Sequence, residues 1–178
     1  MYIEAVRKLG KETEFVHWMC SHLNVSTLPR LVNEQELLTP EFEFLKAHAV
    51  EDLLLLLRDN WDHYASHFNS HNRNSSRLKK AISEMRVQCI DGLSRRLDQT
   101  VLPLEALKLA GQNLVFIDIP EPNDTRWLKL STFDVLTNLS TEFYFRKLKA
   151  LAAHPVTNST SKLAVEAIYT ELGSCKVP

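Results

Sequence analysis

Ile117-Asp-Ile-Pro-Glu-Pro-Asn-Asp-Thr-Arg-Trp-Leu-Lys-Leu-Ser-Thr-Phe-Asp-Val135 is the run from which the architecture is read. Leu114 to Ile119 is apolar and strand-like, and Pro120 and Pro122 fix φ and push their predecessors toward extended backbone. A strand must therefore stop in a stiff, polyproline-like elbow. Asn123 or Asp124 then caps a short helix with Trp127, Leu128 and Phe133 as its apolar stripe. Asp134 stands where a helix-terminating glycine would be comfortable, because aspartate visits the left-handed region less freely.

Upstream, Val50 to about His71 is the longest periodic segment. Val50, Leu53, Leu54, Leu57, Trp61, Tyr64, Ala65 and Phe68 follow the i, i+3, i+4, i+7 rule, which predicts one central helix. Its leucines make one end apolar nearly all round, so other elements should surround that end. Asn69 to Ser76 is polar and reads as an exposed loop, and Leu78, Ala81, Ile82 and Met85 mark a further helix. The period then changes to two. Arg86 to Ile90 and Leu93 to Leu97 flank Asp91-Gly92, the signature of a type I′ hairpin, and Val101-Leu102-Pro103 suits an edge strand. Leu104 to Leu109 predicts a short helix ending at Gly111.

The ends of the chain are helical in pattern. Ile3, Val6 and Leu9, then Phe15, Trp18, Met19 and His22, predict two helices or one bent one. Thr39-Pro40-Glu41 is a helix start with Thr as cap, Pro in the first helical position and Glu in the first turn. Asn138 or Ser140 opens a helix through Tyr144, Leu148 and Leu151, ending near His154-Pro155. A last helix, capped by Ser159 or Thr160, carries Ala164, Ala167, Ile168 and Leu172 and closes at Gly173. The expected class is α+β, mostly helical, with helices around a small antiparallel hairpin or sheet at about residues 86–119. A helical part, 1–72, should pack with a small α+β part, 73–178, as one domain.

Composition narrows the function. The 178 residues are 44% hydrophobic and 24% charged, enough for one ordinary core or two very small ones. Twenty-one Lys and Arg balance 22 Asp and Glu, so charge favours neither nucleic acid nor an anionic membrane. The longest wholly apolar run, Leu53 to Leu57, is far short of the ~20 residues of a bilayer span, and the N-terminus lacks a signal-peptide profile. These features predict an intracellular protein, cytoplasmic or nuclear. Cys20, Cys89 and Cys175 have no Cys-x-x-Cys spacing, so neither a disulfide framework nor a thiolate zinc site is expected. With four glycines, no glycine-rich phosphate loop is present, and no Gly-x-Ser-x-Gly elbow marks a hydrolase. No catalytic residue and no cofactor are expected.

The segments that carry these signals also occur in a familiar order. Leu28-Pro29-Arg30-Leu31-Val32, the leucine-rich helix running into Arg58-Asp59-Asn60-Trp61-Asp62-His63-Tyr64, the hairpin at Cys89 and Asp91-Gly92, Leu102-Pro103 and the Ile119 to Val135 block follow one another. This order resembles the region downstream of the histidine-kinase-like, Hsp90-type ATPase domain in large sacsin-like and NO VEIN-like proteins, fungal ones above all. The resemblance runs from about Leu28 to Leu172 and rests on packing and turn signatures, so it implies a context and no activity. It implies a linker or interaction module whose partners are proteins or other domains of a longer chain. The family's nucleotide site needs an Asn-bearing helix and Asp-x-Gly-x-Gly loops. Neither occurs here, so nucleotide binding by this chain alone is not expected. Phe133-Asp134-Val135 stands where the family tends to have Phe-Gly-Val.

Among chemical candidates, His63, His67 and His71 lie at successive i, i+4 spacing with Asp59 a turn upstream. A metal takes two such neighbours readily, but ligands eight residues apart are separated by about 12 Å of helix rise, too far for one coordination shell. His63 and His67 therefore define an alternative, a small metal-binding domain, weighed against an ordinary solvated helix face. Arg30 reads as an ion-pairing or capping residue. Trp127 reads as core and Cys89 as a half-buried strand thiol. Arg77, Lys79, Lys80 and Arg86 read as a solvated face. Trp127, Arg30 and Trp61 are the expected structural anchors.

Overall fold

The computed structural model describes residues 12–23, 26–35, 37–69, 73–153 and 158–174. The fold is α+β and mostly helical, with one two-stranded antiparallel sheet among the described residues. The chain forms two compact units, Met1–Phe44 and Leu45–Pro178. Within the second unit the helices Trp61–Asn69 and Arg73–Ser83 pack on each other. The expected helix at Ile3 to Leu9, the His71 ligand, the helix end at His154-Pro155 and Cys175 lie outside the described residues.

In the first unit, α1 (Glu12–Leu23) carries Phe15, Trp18 and His22 as a stacked ladder, with ring centroids 6.3 and 5.4 Å apart. The following link is closed by an antiparallel bridge between Val32 and Leu38, and Asn33 Oδ1 accepts from the amides of Gln35 and Leu37. Thr39 caps α2 (Pro40–His48) as its sequence predicts. Its hydroxyl accepts from Phe42 N at 3.2 Å and donates to the carbonyl of Arg30. The Arg30 guanidinium is 71% exposed and lies 3.8 Å from Glu41. Such a pair is screened by water and contributes little, so the anchor at this position is the Arg30 carbonyl and not its side chain.

In the second unit the predicted central helix is broken into α3 (Val50–Asp59) and α4 (Trp61–Asn69). Asn60 takes φ −121 and ψ 33, and both its backbone amide and its side-chain amide donate to Leu56 O. A short polar side chain that competes for the helix carbonyls ends the helix there. The buried stripe survives the break: Leu53, Leu54, Leu57, Tyr64 and Phe68 are all inaccessible. Helix α5 (Arg73–Ser83) begins inside the stretch expected as loop. Ser75 is buried there, and its hydroxyl donates to Phe68 O at 3.2 Å, tying the helix start to the end of α4.

Strands β1 (Arg86–Gln88) and β2 (Ser94–Arg96) pair with Val87 opposite Arg95. The hairpin loop is not type I′. That turn needs positive φ at both central residues, and only Gly92 has it, at 77°. Gly92 N donates to Cys89 O and Cys89 N to Leu93 O, which makes a three-residue loop, Ile90 to Gly92. Asp91 Oδ1 accepts from Leu93 N at 3.0 Å and sets this longer form. Cys89 then bridges Ile117, while Val101 bridges both Phe116 and Leu136. Val101 is thus an inner position, bonded on two sides, and not the edge strand expected from Pro103. The proline is tolerated because it follows the last bridged residue. The 3-10 turn Leu97–Gln99 and α6 (Glu105–Ala110), capped at Gly111, complete this layer.

Beyond the elbow, Thr125–Phe133 is a 3-10 helix. Three residues per turn bury positions three apart, and Trp127, Leu130 and Phe133 are buried while Leu128 is 42% exposed. The stripe expected at Trp127, Leu128 and Phe133 assumed the wrong period. Asp134 closes the helix in the left-handed region at φ 65 and ψ 15. Helix α7 (Thr141–Ala153) is capped by Ser140, whose Oγ accepts from Phe143 N at 3.4 Å, and α8 (Asn158–Ser174) packs on α7 with Ile168 buried. Gly173 lies within α8.

Candidate functional site

The Pro120 to Asp124 elbow is a turn and not an extended segment. Glu121 has φ 50, and Asp124 N donates to Glu121 O at 2.9 Å, with Pro122 supplying the fixed φ of the second turn position. Positive φ before a proline costs free energy and persists only when its surroundings hold it. Here the holding groups are visible. Trp127 Nε1 donates to Pro120 O at 3.0 Å, and Asp124 Oδ1 caps the 3-10 helix by accepting from Arg126 N at 2.9 Å.

Arg58, from the last turn of α3, covers Trp127 with its guanidinium carbon 5.0 Å from the ring centroid. Its side chain is 10% exposed. Nε donates to Asp59 Oδ1 at 2.7 Å, while Nη1 lies 3.5 Å from Glu121 and 3.9 Å from Asp124 without a hydrogen bond. Arg126 completes the ring, bonding Asp124 at 2.6 Å and Asp59 at 2.8 Å. The hydrogen bonds from Arg126 hold the Asp124 carboxyl at about 2, well below its ordinary value. The bond from Arg58 lowers Asp59 as well. Two guanidinium groups and three carboxylates thus lock the elbow to α3. These charges face one another across the elbow, which suits positioning.

Trp127, placed in the core by its sequence context, is buried. Trp61 is half-buried against Phe68 and Phe133, with ring centroids 5.3 and 6.1 Å away. Cys89 is fully buried, more so than expected, and burial pushes its thiol up, away from the reactive thiolate. His63 is exposed and meets the Tyr64 ring edge-on at 4.8 Å, and His67 is half-buried. Among the described residues, no three His, Cys, Asp or Glu side chains converge as a metal would require. Among the described residues, no helix is long and apolar enough to cross a membrane.

Two adjoining clefts open at the other end of α3. The first, of 280 Å³, is lined by Leu54, Leu55, Ile119, Pro120 and Trp127 with Glu51 and Asp118. The second, of 440 Å³, shares Glu51, Leu54 and Asp118 and adds polar groups from Arg86, Gln88 and Ser94. Sequence reasoning found neither the charged ring nor the clefts. Arg58-Asp59 and Asp124-Thr125-Arg126 were visible as charged pairs, but Asp59 and Arg126 are 67 residues apart, and no local signal joins them. No family model matches the chain, and no curated protein or solved structure is significantly similar to it.

Proposed function

We propose that the chain is a non-catalytic interaction module that works inside the cell, in cytoplasm or nucleus, in the manner of the region following the ATPase domain of sacsin-like and NO VEIN-like proteins. It couples partner proteins, or neighbouring domains of a longer chain, by presenting a rigid surface. It takes no cofactor, and neither nucleotide, nucleic acid nor membrane is its ligand. One observation carries this reading: the charged side chains of the motif segments, Arg58, Asp59, Asp124 and Arg126, are bonded to one another around Trp127. A binding or catalytic centre keeps such groups directed at its ligand. Here their geometry serves the placement of a turn and a helix.

Thermal denaturation of the purified chain with and without millimolar magnesium and ATP tests the proposal. The melting temperature is expected to stay unchanged, since a ligand that binds only the folded state must raise it. A concentration-dependent rise would overturn the non-nucleotide reading. Metal analysis of tag-free protein separates this module from the His63 and His67 alternative, which requires stoichiometric zinc.

A further inference from the structure

The two clefts meet at Glu51 and Asp118, which together line the Trp127 end. Four other acids of the second unit are neutralised, Asp59 and Asp124 by the two arginines, Asp98 by Arg96 at 2.6 Å and Glu142 by Arg146 at 3.2 Å, whereas Asp52 on the second cleft has no ion pair among the described residues. Glu51 and Asp118 have no ion pair or hydrogen-bonding cation among the described residues. Glu51 lies in the first turn of α3, where a carboxylate complements the helix dipole. Asp118 lies in no helix, so that account does not extend to it. Both instead stand on the wall of a cleft whose remaining surface at the Trp127 end is apolar. Leu54 and Trp127 form its inaccessible floor, while Pro120 is open to solvent.

Building on the interaction-module reading, we propose that this cleft docks a partner protein segment that presents a lysine or arginine beside an apolar side chain. The cation pairs with Glu51 and Asp118. Its methylene stem and the apolar neighbour lie over Leu54, Leu55 and Pro120, since long basic side chains cover apolar surface while keeping the charge at a polar rim. The polar cleft beyond, with Gln88 and Ser94, meets the segment's peptide groups. An acidic segment is disfavoured at the Trp127 end, whose lining carries Glu51 and Asp118 and no cation, Arg86 lying in the polar cleft beyond.

The test is an NMR titration of the full 15N-labelled chain with the blocked tripeptide acetyl-Leu-Lys-Leu-amide, with acetyl-Leu-Glu-Leu-amide as control. The lysine peptide is expected to shift the amides of Glu51, Leu55, Asp118 and Ile119, and the glutamate peptide is not. The exposed, near-isosteric double variant E51Q/D118N should weaken binding by about tenfold, with unaltered circular dichroism. The charge reversal E51K should favour the glutamate peptide. Equal shifts from both peptides, shifts elsewhere on the surface, or none with the lysine peptide would overturn the proposal. So would full effect from acetyl-lysine-amide, which lacks the apolar neighbours. None of these outcomes alters the nucleotide test, so this inference can fail while the interaction-module reading stands.

Discussion

Replacing Asp134 by glycine is expected to stabilise the protein, although most substitutions do the opposite. Asp134 closes the Trp127 helix at φ 65 and ψ 15, where a Cβ meets the backbone. Its bonds come from the main chain: Asp134 N donates to Ser131 O at 3.2 Å, and Arg146 Nη2 donates to Asp134 O at 3.1 Å. Its carboxylate makes no hydrogen bond or ion pair among the described residues, so glycine forfeits no contact. A left-handed residue costs roughly 1–2 kcal/mol, with aspartate toward the lower end, and glycine's freedom in the unfolded chain returns about 0.5–1 kcal/mol of that. The net gain is about 0.5 kcal/mol, a rise in melting temperature of about 1–2 °C for a chain of this size. Alanine lacks aspartate's tolerance of this region and should lose about 1 kcal/mol. Thermal melts of wild type, D134G and D134A at one pH should therefore rank glycine above aspartate above alanine. A D134G melt below wild type, or a D134A melt at or above it, would refute the argument that this backbone is strained.

Gly111 presents the reverse case: its φ of −115 suits any residue, but an added Cβ would stand 2.9 Å from Leu107 O and Phe143 Cζ, so G111A should cost about 1–3 kcal/mol in chemical denaturation. Arg58 acts by its stem as well as its charge, so R58M should cost about 1 kcal/mol in stability and R58A about 3, and equal losses would contradict the packing role. The Asp124 carboxyl is depressed on folding from 3.8 to about 2. It therefore adds stability above its unfolded value that disappears as pH falls through the folded one. Acid titration between about pH 4 and pH 2 should show a shallower loss of stability in D124N than in wild type.

The buried face of α3 and α4 was legible because apolar residues at i, i+3 and i+4 admit one reading, and the core obeys it through Phe68. The break at Asn60 was not. Asparagine fits an exposed helix position, and only the competing bond to Leu56 O reveals the stop. In the hairpin, Asp91-Gly92 announced a turn, but whether two or three residues form the loop depends on Asp91 bonding Leu93 N. The Trp127 helix has adjacent apolar residues at 127 and 128, so the sequence accommodates a period of 3.6 as well as 3.0. The Asp124 cap and the turn at Glu121 selected the tighter form. Asp134 was legible because one residue type at one backbone position sufficed. The charged ring and the cleft were illegible for a common reason: α3 meets the elbow only through tertiary packing.

That same packing makes Trp127 a member of both features. Its ring carries Arg58 at 5.0 Å and also floors the cleft beneath Glu51 and Asp118. One rigid helix, α3, holds Arg58 near its C-terminal end and Glu51 in its first turn, about 10 Å along the axis. Loosening the ring of charges should therefore be felt in the cleft, although Arg58 does not line it. R58M retains the stem but removes the cation–π contact and the bonds to Asp59, leaving Trp127 held by its bond to Pro120 O. Coupling through a shared packed side chain is typically about 0.5–2 kcal/mol, which weakens the lysine peptide by roughly two- to thirtyfold. The same NMR titration on R58M measures it, with the peptide shifts at Leu55 and Ile119 as readout. Unchanged affinity would show that the ring serves stability alone and that the cleft keeps its shape without it.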